Sequence, residues 1–347
     1  MPASYAAERQ YLTNLFSGPF PGHAIICDPE WPKRPWDDDC AISPLPVADW
    51  VPYALQGYEL QVERHEALGD DAVPHVVLGT GTELFACAFG CGFHVFEDSN
   101  PAAMPCVESA AQADALEVPS LSVRPLERIF EWGQLLRERV GPGVDIRVPD
   151  IQSPFDIAAL IWKKESFYLA MYEEPEAVKR LVAKCARLLT DFLLEFRRQF
   201  PECSYVHCPN MWAPPDLGCS LSEDEVGCMS VAMFEEFCLP TLTEMSEQFG
   251  GMFMHCCAAA DHQYESFKKI PNLRSLNRVF QAPGPQPAVD AFAGQTVLAQ
   301  AWMGEKEMLG MLDMVHEDSR FLFNIGGMPL DQQKRVYETI RERCPRL

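Results

Sequence analysis

From residue 73 onward, short apolar runs alternate with longer stretches in which apolar residues recur at three- and four-residue spacing. The short runs fall at 75–78, 145–148, 204–207, 252–256, 273–277, 296–300 and 321–325 and predict strands. Helical patterns fill the gaps at 157–172, 176–200, 232–249, 261–269, 306–316 and 331–343. In the longest of these, Val178, Leu181, Val182, Cys185, Leu188, Leu189, Phe192, Leu193 and Phe196 form one stripe, which reads as a core-facing side. Strands and regular helices in this alternation predict an α/β protein, a closed parallel (β/α)8 TIM barrel over 74–347. The first 73 residues read differently. One amphipathic helix over 4–16 is followed by Pro- and Trp-rich text such as CDPEWPKRPWDDDC. This N-terminal helical and loop extension, 1–73, is expected to pack over one barrel mouth.

Composition narrows the function classes. Acidic residues outnumber basic ones by 50 to 28, a net charge of -22, and such a field repels phosphate backbones and anionic bilayers. No nucleic-acid or membrane partner is expected. The start, MPASYAAERQYLTNLF, lacks the basic-then-apolar order of a secretion signal, so a cytoplasmic location is expected. The 14 cysteines are scattered along the chain and read as reduced, buried, small apolar residues, with a minority available to a metal.

In a barrel of this kind, chemistry sits at the C-terminal ends of the strands. There the stretch FGGMFMHCCAAADHQYESF leads a Gly pair into a short strand that ends in His255, Cys256 and Cys257. Residues two apart on a strand project to the same side, so His255 and Cys257 offer one nitrogen and one thiolate to Zn2+ while Cys256 points away. A zinc site needs a third protein ligand, and none is evident nearby in sequence. Cys87 and Cys91 read as packed thiols and Cys344 as structural or incidental; His262 and Tyr264 follow the strand closely enough to reach a ligand, and an exposed first helical turn explains them equally.

A larger pattern surrounds the His-x-Cys pair. It is preceded by MSVAMFEEF, Pro240 and the Gly pair, with PFDIAALIWKKESFYLAMYEEPEAV upstream and FNIGGMPLDQQ downstream. Together these phrases, in this order, resemble the uroporphyrinogen decarboxylase superfamily from about Val73 to the C-terminus. The resemblance independently implies the barrel. One branch of that superfamily decarboxylates a porphyrinogen without a cofactor; the other moves methyl groups between corrinoids and thiols using zinc.

The decarboxylase branch holds its polycarboxylate with N-terminal arginines. Here that region offers Lys33 and Arg34 among Asp28, Glu30, Asp37, Asp38 and Asp39, an acidic mouth that would repel such a substrate. The resemblance to the methyltransferase branch implies His255 and Cys257 as the first two zinc ligands. Its third ligand is a Cys in a Gly-Cys pair after the last strand, where this chain has Gly326 and Gly327, and Ala258 stands where Gly usually follows the His-x-Cys. By position, His207 and Cys208 are candidates for ligand or substrate contact. Asp224 and Glu225, in SEDEVG, fall near an acidic position of the family's active-site loop, although a helix N-cap explains them equally. His207 and Asp224 are the expected catalytic residues.

The implied function is a zinc-assisted methyltransferase acting between a corrinoid and a thiol or related acceptor. The chain has no Asp-x-His-x-x-Gly corrinoid motif, so the corrinoid is expected on a partner protein that docks at the barrel mouth. The alternatives are a metal-free lyase or decarboxylase of a small acid, with Asp224 or His255 as proton carrier, and a non-catalytic corrinoid- or tetrapyrrole-binding barrel.

Overall fold

The computed structural model describes residues 5–18, 22–32, 41–96 and 101–346. Its strands are β1 (Ala24–Cys27), β2 (Val76–Val77), β3 (Gly92–His94), β4 (Ala102–Met104), β5 (Ile146–Arg147), β6 (Cys203–Ser204), β7 (Cys219–Ser222), β8 (Met252–Cys256), β9 (Leu273–Arg278), β10 (Val297–Gln300) and β11 (Phe321–Ile325). Apart from the antiparallel hairpin β3–β4, all pair in parallel, as two arcs in the orders β1-β11-β10-β9-β8-β7 and β2-β5-β6. β6 runs along the start of β5 and β7 meets its continuation through a Gln152–Ser222 bridge, which joins the arcs on one side. On the other side the chain leading into β2 lies against β1. Asp71 N donates to Ile25 O (2.9 Å), and the Asp71 and Asp70 carboxylates accept from the amides of Ile25 (2.8 Å) and Cys27 (2.7 Å). Asp71 and Asp70 are buried, and each has a counter-charge or ring partner in Arg341 or His65, so neither is left uncompensated.

The wall is therefore a TIM-type barrel as expected, built from nine parallel segments because β6 and β7 lie in turn along β5 and its continuation, with two differences from the sequence reading. Ala24–Cys27 was placed in the extension, yet it is a wall strand paired with β11. All four of its residues are buried, so it carries no in-out alternation to mark it as a strand. β7 went unread because its sequence, CSLS, is short and half hydroxyl-bearing.

The helices also refine the pattern. The expected 4–16 helix is Ala6–Ser17, and 176–200 is Pro175–Gln199 with its whole stripe buried. The 157–172 pattern is two helices, Pro154–Ile161 and Lys164–Glu173; 232–249 is also two, Val231–Phe237 and Leu239–Phe249, and Pro240 sits in the first turn of the second. Val51–Leu68 and Arg124–Val140 are additional helices that the pattern did not single out. Entry into β8 depends on the Gly pair. Gly250 ends the preceding helix at φ +87, and a Cβ on Gly251 would lie 2.4 Å from Leu217 O, so only glycine lets these backbones meet. Among the described residues, no helix is long and apolar enough to cross a membrane.

Candidate functional site

The β7–β8 register sets the site. Ser222 pairs with His255, so the chain leaving β7 carries Asp224 to the place where β8 ends at Cys256 and Cys257 follows. Ligand atoms of Asp224, His255 and Cys257 all lie within 4.8 Å of one another. Asp224 Oδ1 is 4.0 Å from His255 Nε2 and accepts the Cys257 amide at 2.6 Å. His255 is buried, Asp224 half-buried and Cys257 exposed at the mouth, a gradient that leaves one side open. Cys256 turns into the core.

The surrounding residues orient these donors. Asn277, the β9 partner of His255, donates through Nδ2 to Ala299 O (2.6 Å) and accepts at Oδ1 from His255 Nδ1 (2.5 Å). With its proton on Nδ1, the imidazole presents the Nε2 lone pair toward Asp224. On the other side, Asp156 accepts the amides of Asp224 (2.7 Å) and Glu225 (3.1 Å) and so pins the loop. Burial first, and then the Asp224 charge, pushes the Asp156 carboxyl up to about 8. The same two causes push the Cys257 thiol up to about 12, so it stays protonated at neutral pH unless a cation replaces the proton.

Beside this cluster is a cavity of about 380 Å³, whose wall includes His207, Cys208, Asp150, Arg147, Asp28, Trp31, Tyr53 and Trp302. Cys208 and Trp302 join it to the cluster: Cys208 Sγ is 3.4 Å from His255 Nδ1, and the Trp302 indole meets the His255 ring edge-on at 5.9 Å. Trp302 holds φ +60 and is 65% exposed, a backbone conformation rare outside glycine that turns a large aromatic outward at the mouth.

The family model for Uroporphyrinogen decarboxylase (URO-D) matches residues 58–274, more than half of the chain. The chain belongs to the URO-D family. Among solved structures, a methyltransferase from Methanosarcina mazei is similar over 96% of this chain and 98% of its own, with a TM-score of 0.65 and 14% identity. At that identity the likeness carries the fold. No curated protein sequence matches.

Measured against the URO-D pattern, the sequence candidates divide clearly. His255, Cys257 and Asp224 come together; of the two readings of Asp224, active-site acidic residue or helix cap, the cap fails, because its side chain makes no cap bond and accepts the Cys257 amide. Glu225 turns away, bonded to Lys164 and Tyr168. His207 lines the cavity with both ring nitrogens already bonded, to Ser220 and Ser222 hydroxyls at 3.0 Å each, and burial holds its pKa well below the usual histidine range. That pairing makes His207 a neutral part of the cavity wall. His262 bonds Met229 O (2.8 Å), and Tyr264 is buried against Asp261. Cys91 Sγ lies 3.4 Å from Cys106 Sγ, and Cys344 is buried.

Gly327, at the position of the family's third cysteine, lies under the N-terminal loop: a Cβ there would be 2.4 Å from Pro29 O. Asp28 and Trp31 line the cavity and Glu30 is exposed, whereas Lys33, Arg34 and Asp37–Asp39 lie outside the described residues. Sequence reading missed Arg147, Asn277 and Asp156. Arg147 and Asn277 do stand inside segments read as strands, but other polar residues share those segments, Asp145 in one and Arg274 and Ser275 in the other, so nothing in the sequence marked them out.

Proposed function

We propose that this URO-D family member is a methyltransferase with a zinc site held by Asp224, His255 and Cys257. On this reading the methyl group passes between a corrinoid carried by a separate protein and a thiol or related nucleophile. The observation that carries it is the convergence of a nitrogen, a thiol and a carboxylate within 4.8 Å at the mouth of the barrel. The donor set fits the metal. Zinc takes N, S and O ligands tetrahedrally, three protein ligands leave one position open, and the oriented histidine supplies the usual support for a ligating imidazole. Bound there, zinc would hold an incoming thiol as its thiolate.

The chain's own residues do the rest. His255 keeps its Nε2 lone pair in place through Asn277, Asp224 is held by Asp156, and the exposed Cys257 marks the side from which a partner reaches the site. On this reading Asp224 supplies the third ligand that the family pattern assigns to a cysteine at the position of Gly327, so the missing cysteine does not count against a three-ligand site. The methyltransferase named among the similar folds agrees with this branch of the family.

Metal analysis of protein purified without added metal tests the reading, and about one zinc per chain is expected. In calorimetric titration, a methylated corrinoid protein should bind far better than free methylcobalamin. No zinc, together with no binding of either corrinoid form, rejects the proposal in favour of a metal-free lyase.

A further inference from the structure

The cavity beside the cluster has a charge arrangement of its own. Arg147, on β5, is 9% exposed and lines the cavity, yet among the described residues its Nε has no partner and its hydrogen bond runs from Nη1 to the neutral Oδ1 of Asn210 (2.9 Å). The carboxyl groups of Asp28 and Asp150 act on it through space and are bonded elsewhere. Asp28 Oδ1 accepts from Asn210 Nδ2 (2.6 Å), and Asp150 Oδ1 accepts from Gln152 Nε2 (2.6 Å). A guanidinium taken out of water without a bonded anion costs several kcal/mol, a cost that a ligand's oxyanion would remove.

An anion alone is a poor answer. The cavity already holds two carboxylates against one guanidinium, so a purely anionic ligand would add to the excess, and a purely cationic one would face Arg147 with nothing to pair it. A molecule carrying both charges meets both walls. The mouth adds a preference, because Trp31, Tyr53 and Trp302 line it, and Trp31 and Trp302 are 37% and 65% exposed. Aromatic faces next to carboxylates favour a methylated ammonium, whose spread charge and apolar surface suit π-systems better than a bare, strongly hydrated one.

We infer that the cavity binds a small zwitterion, with its carboxylate on Arg147 and its quaternary ammonium against Asp28, Asp150 and the aromatic mouth. The volume, about 380 Å³, fits a molecule of this size. This goes beyond the methyl-transfer reading and does not depend on it: it states what the cavity binds, and assigns the ligand no step in the transfer.

The test uses three molecules of nearly one shape: glycine betaine, its carbon isostere 3,3-dimethylbutanoate, which lacks the positive charge, and choline, which lacks the carboxylate. Each is titrated calorimetrically into the full-length protein, both as purified and after chelator treatment. Betaine is expected to bind about tenfold or more tightly than either of the others, in both preparations. Arg147→Met should lower betaine affinity to the level of choline. If that variant does not fold, Trp302→Ala, at an exposed position, should lower betaine affinity several-fold. The inference is overturned by equal binding of the isostere or of choline, by no betaine binding, or by undiminished betaine affinity in the folded variant tested. Betaine binding that requires zinc also overturns it and leaves the metal reading standing, whereas betaine binding to a protein that takes up no zinc does the reverse.

Discussion

Asn277 accepts the Nδ1 proton of His255 at 2.5 Å and thereby decides that Nε2 is the nitrogen facing Asp224. The amide cannot turn freely to do otherwise, because its Nδ2 is committed to Ala299 O. Replacing Asn277 with Ala should therefore leave all three donors in place and still weaken zinc binding by about 10–100-fold. Chelator competition measures this directly, and unchanged affinity would remove Asn277 from the account of the site.

The donors themselves make a sharper prediction. Asp224→Ala, His255→Ala and Cys257→Ala should each lose stoichiometric zinc while the fold survives, because side chains at a barrel mouth contribute little to the core. Cys256→Ala should keep the metal, since that side chain lies in the core on the other face of β8. It should instead lower stability by about 1 kcal/mol. Metal content and thermal unfolding of the four proteins separate these outcomes, and zinc retained in all four would place the site elsewhere.

What the sequence could and could not convey follows from which contacts are local. His255 and Cys257 share one strand end, and their spacing alone puts them on one side. Asp224 joins them only because Ser222 is in register with His255, a fact of pairing between strands that spacing along the chain does not encode. Its acidic neighbour Glu225 is chemically equivalent in sequence and is carried away by Lys164 and Tyr168. Arg147 was hidden for a different reason. It stands between Ile146 and Val148 in a short strand segment, which marked a strand and said nothing of a cation turned into a cavity. The barrel was legible from the alternation of runs and helices, except where a strand such as Ala24–Cys27 is buried on both faces and flanked by proline-rich loop.

Burial of Asp28 predicts a dependence of stability on pH. Desolvation pushes its carboxyl from 3.8 up to about 6 in the folded protein. The folded state thus keeps a proton that the unfolded chain has released between these values, and stability falls as pH rises through about 6. Asp28→Asn removes that loss. The variant should be more stable than the parent by about 1–3 kcal/mol at pH 8 and no more stable at pH 4. Denaturant unfolding at the two pH values checks the sign; an equal difference at both would mean that the effect is not ionisation of Asp28.

Gly327→Cys restores the residue that the family's methyltransferases use as third ligand, and on the family pattern alone it should tighten zinc binding. The structure predicts otherwise. A Cβ at Gly327 would sit 2.4 Å from Pro29 O, 3.0 Å from Pro29 C and 3.1 Å from Glu30 Cα, all backbone atoms of the N-terminal loop that also carries Asp28 and Trp31. Backbone cannot yield as a side-chain tip can, so the loop must lift, at about 1–3 kcal/mol. The expected result is a lower unfolding midpoint with no gain in zinc affinity, since on the proposed reading Asp224 supplies the third ligand. Gly327→Ala, which has the clash but no thiol, should lose the same stability and serves as the control. Equal destabilisation of the two variants with parent-like zinc affinity supports the three-ligand site of Asp224, His255 and Cys257. A Cys variant that is as stable as the parent and binds zinc more tightly would show that the loop leaves room for the family's own ligand and that Asp224 does not fill its place.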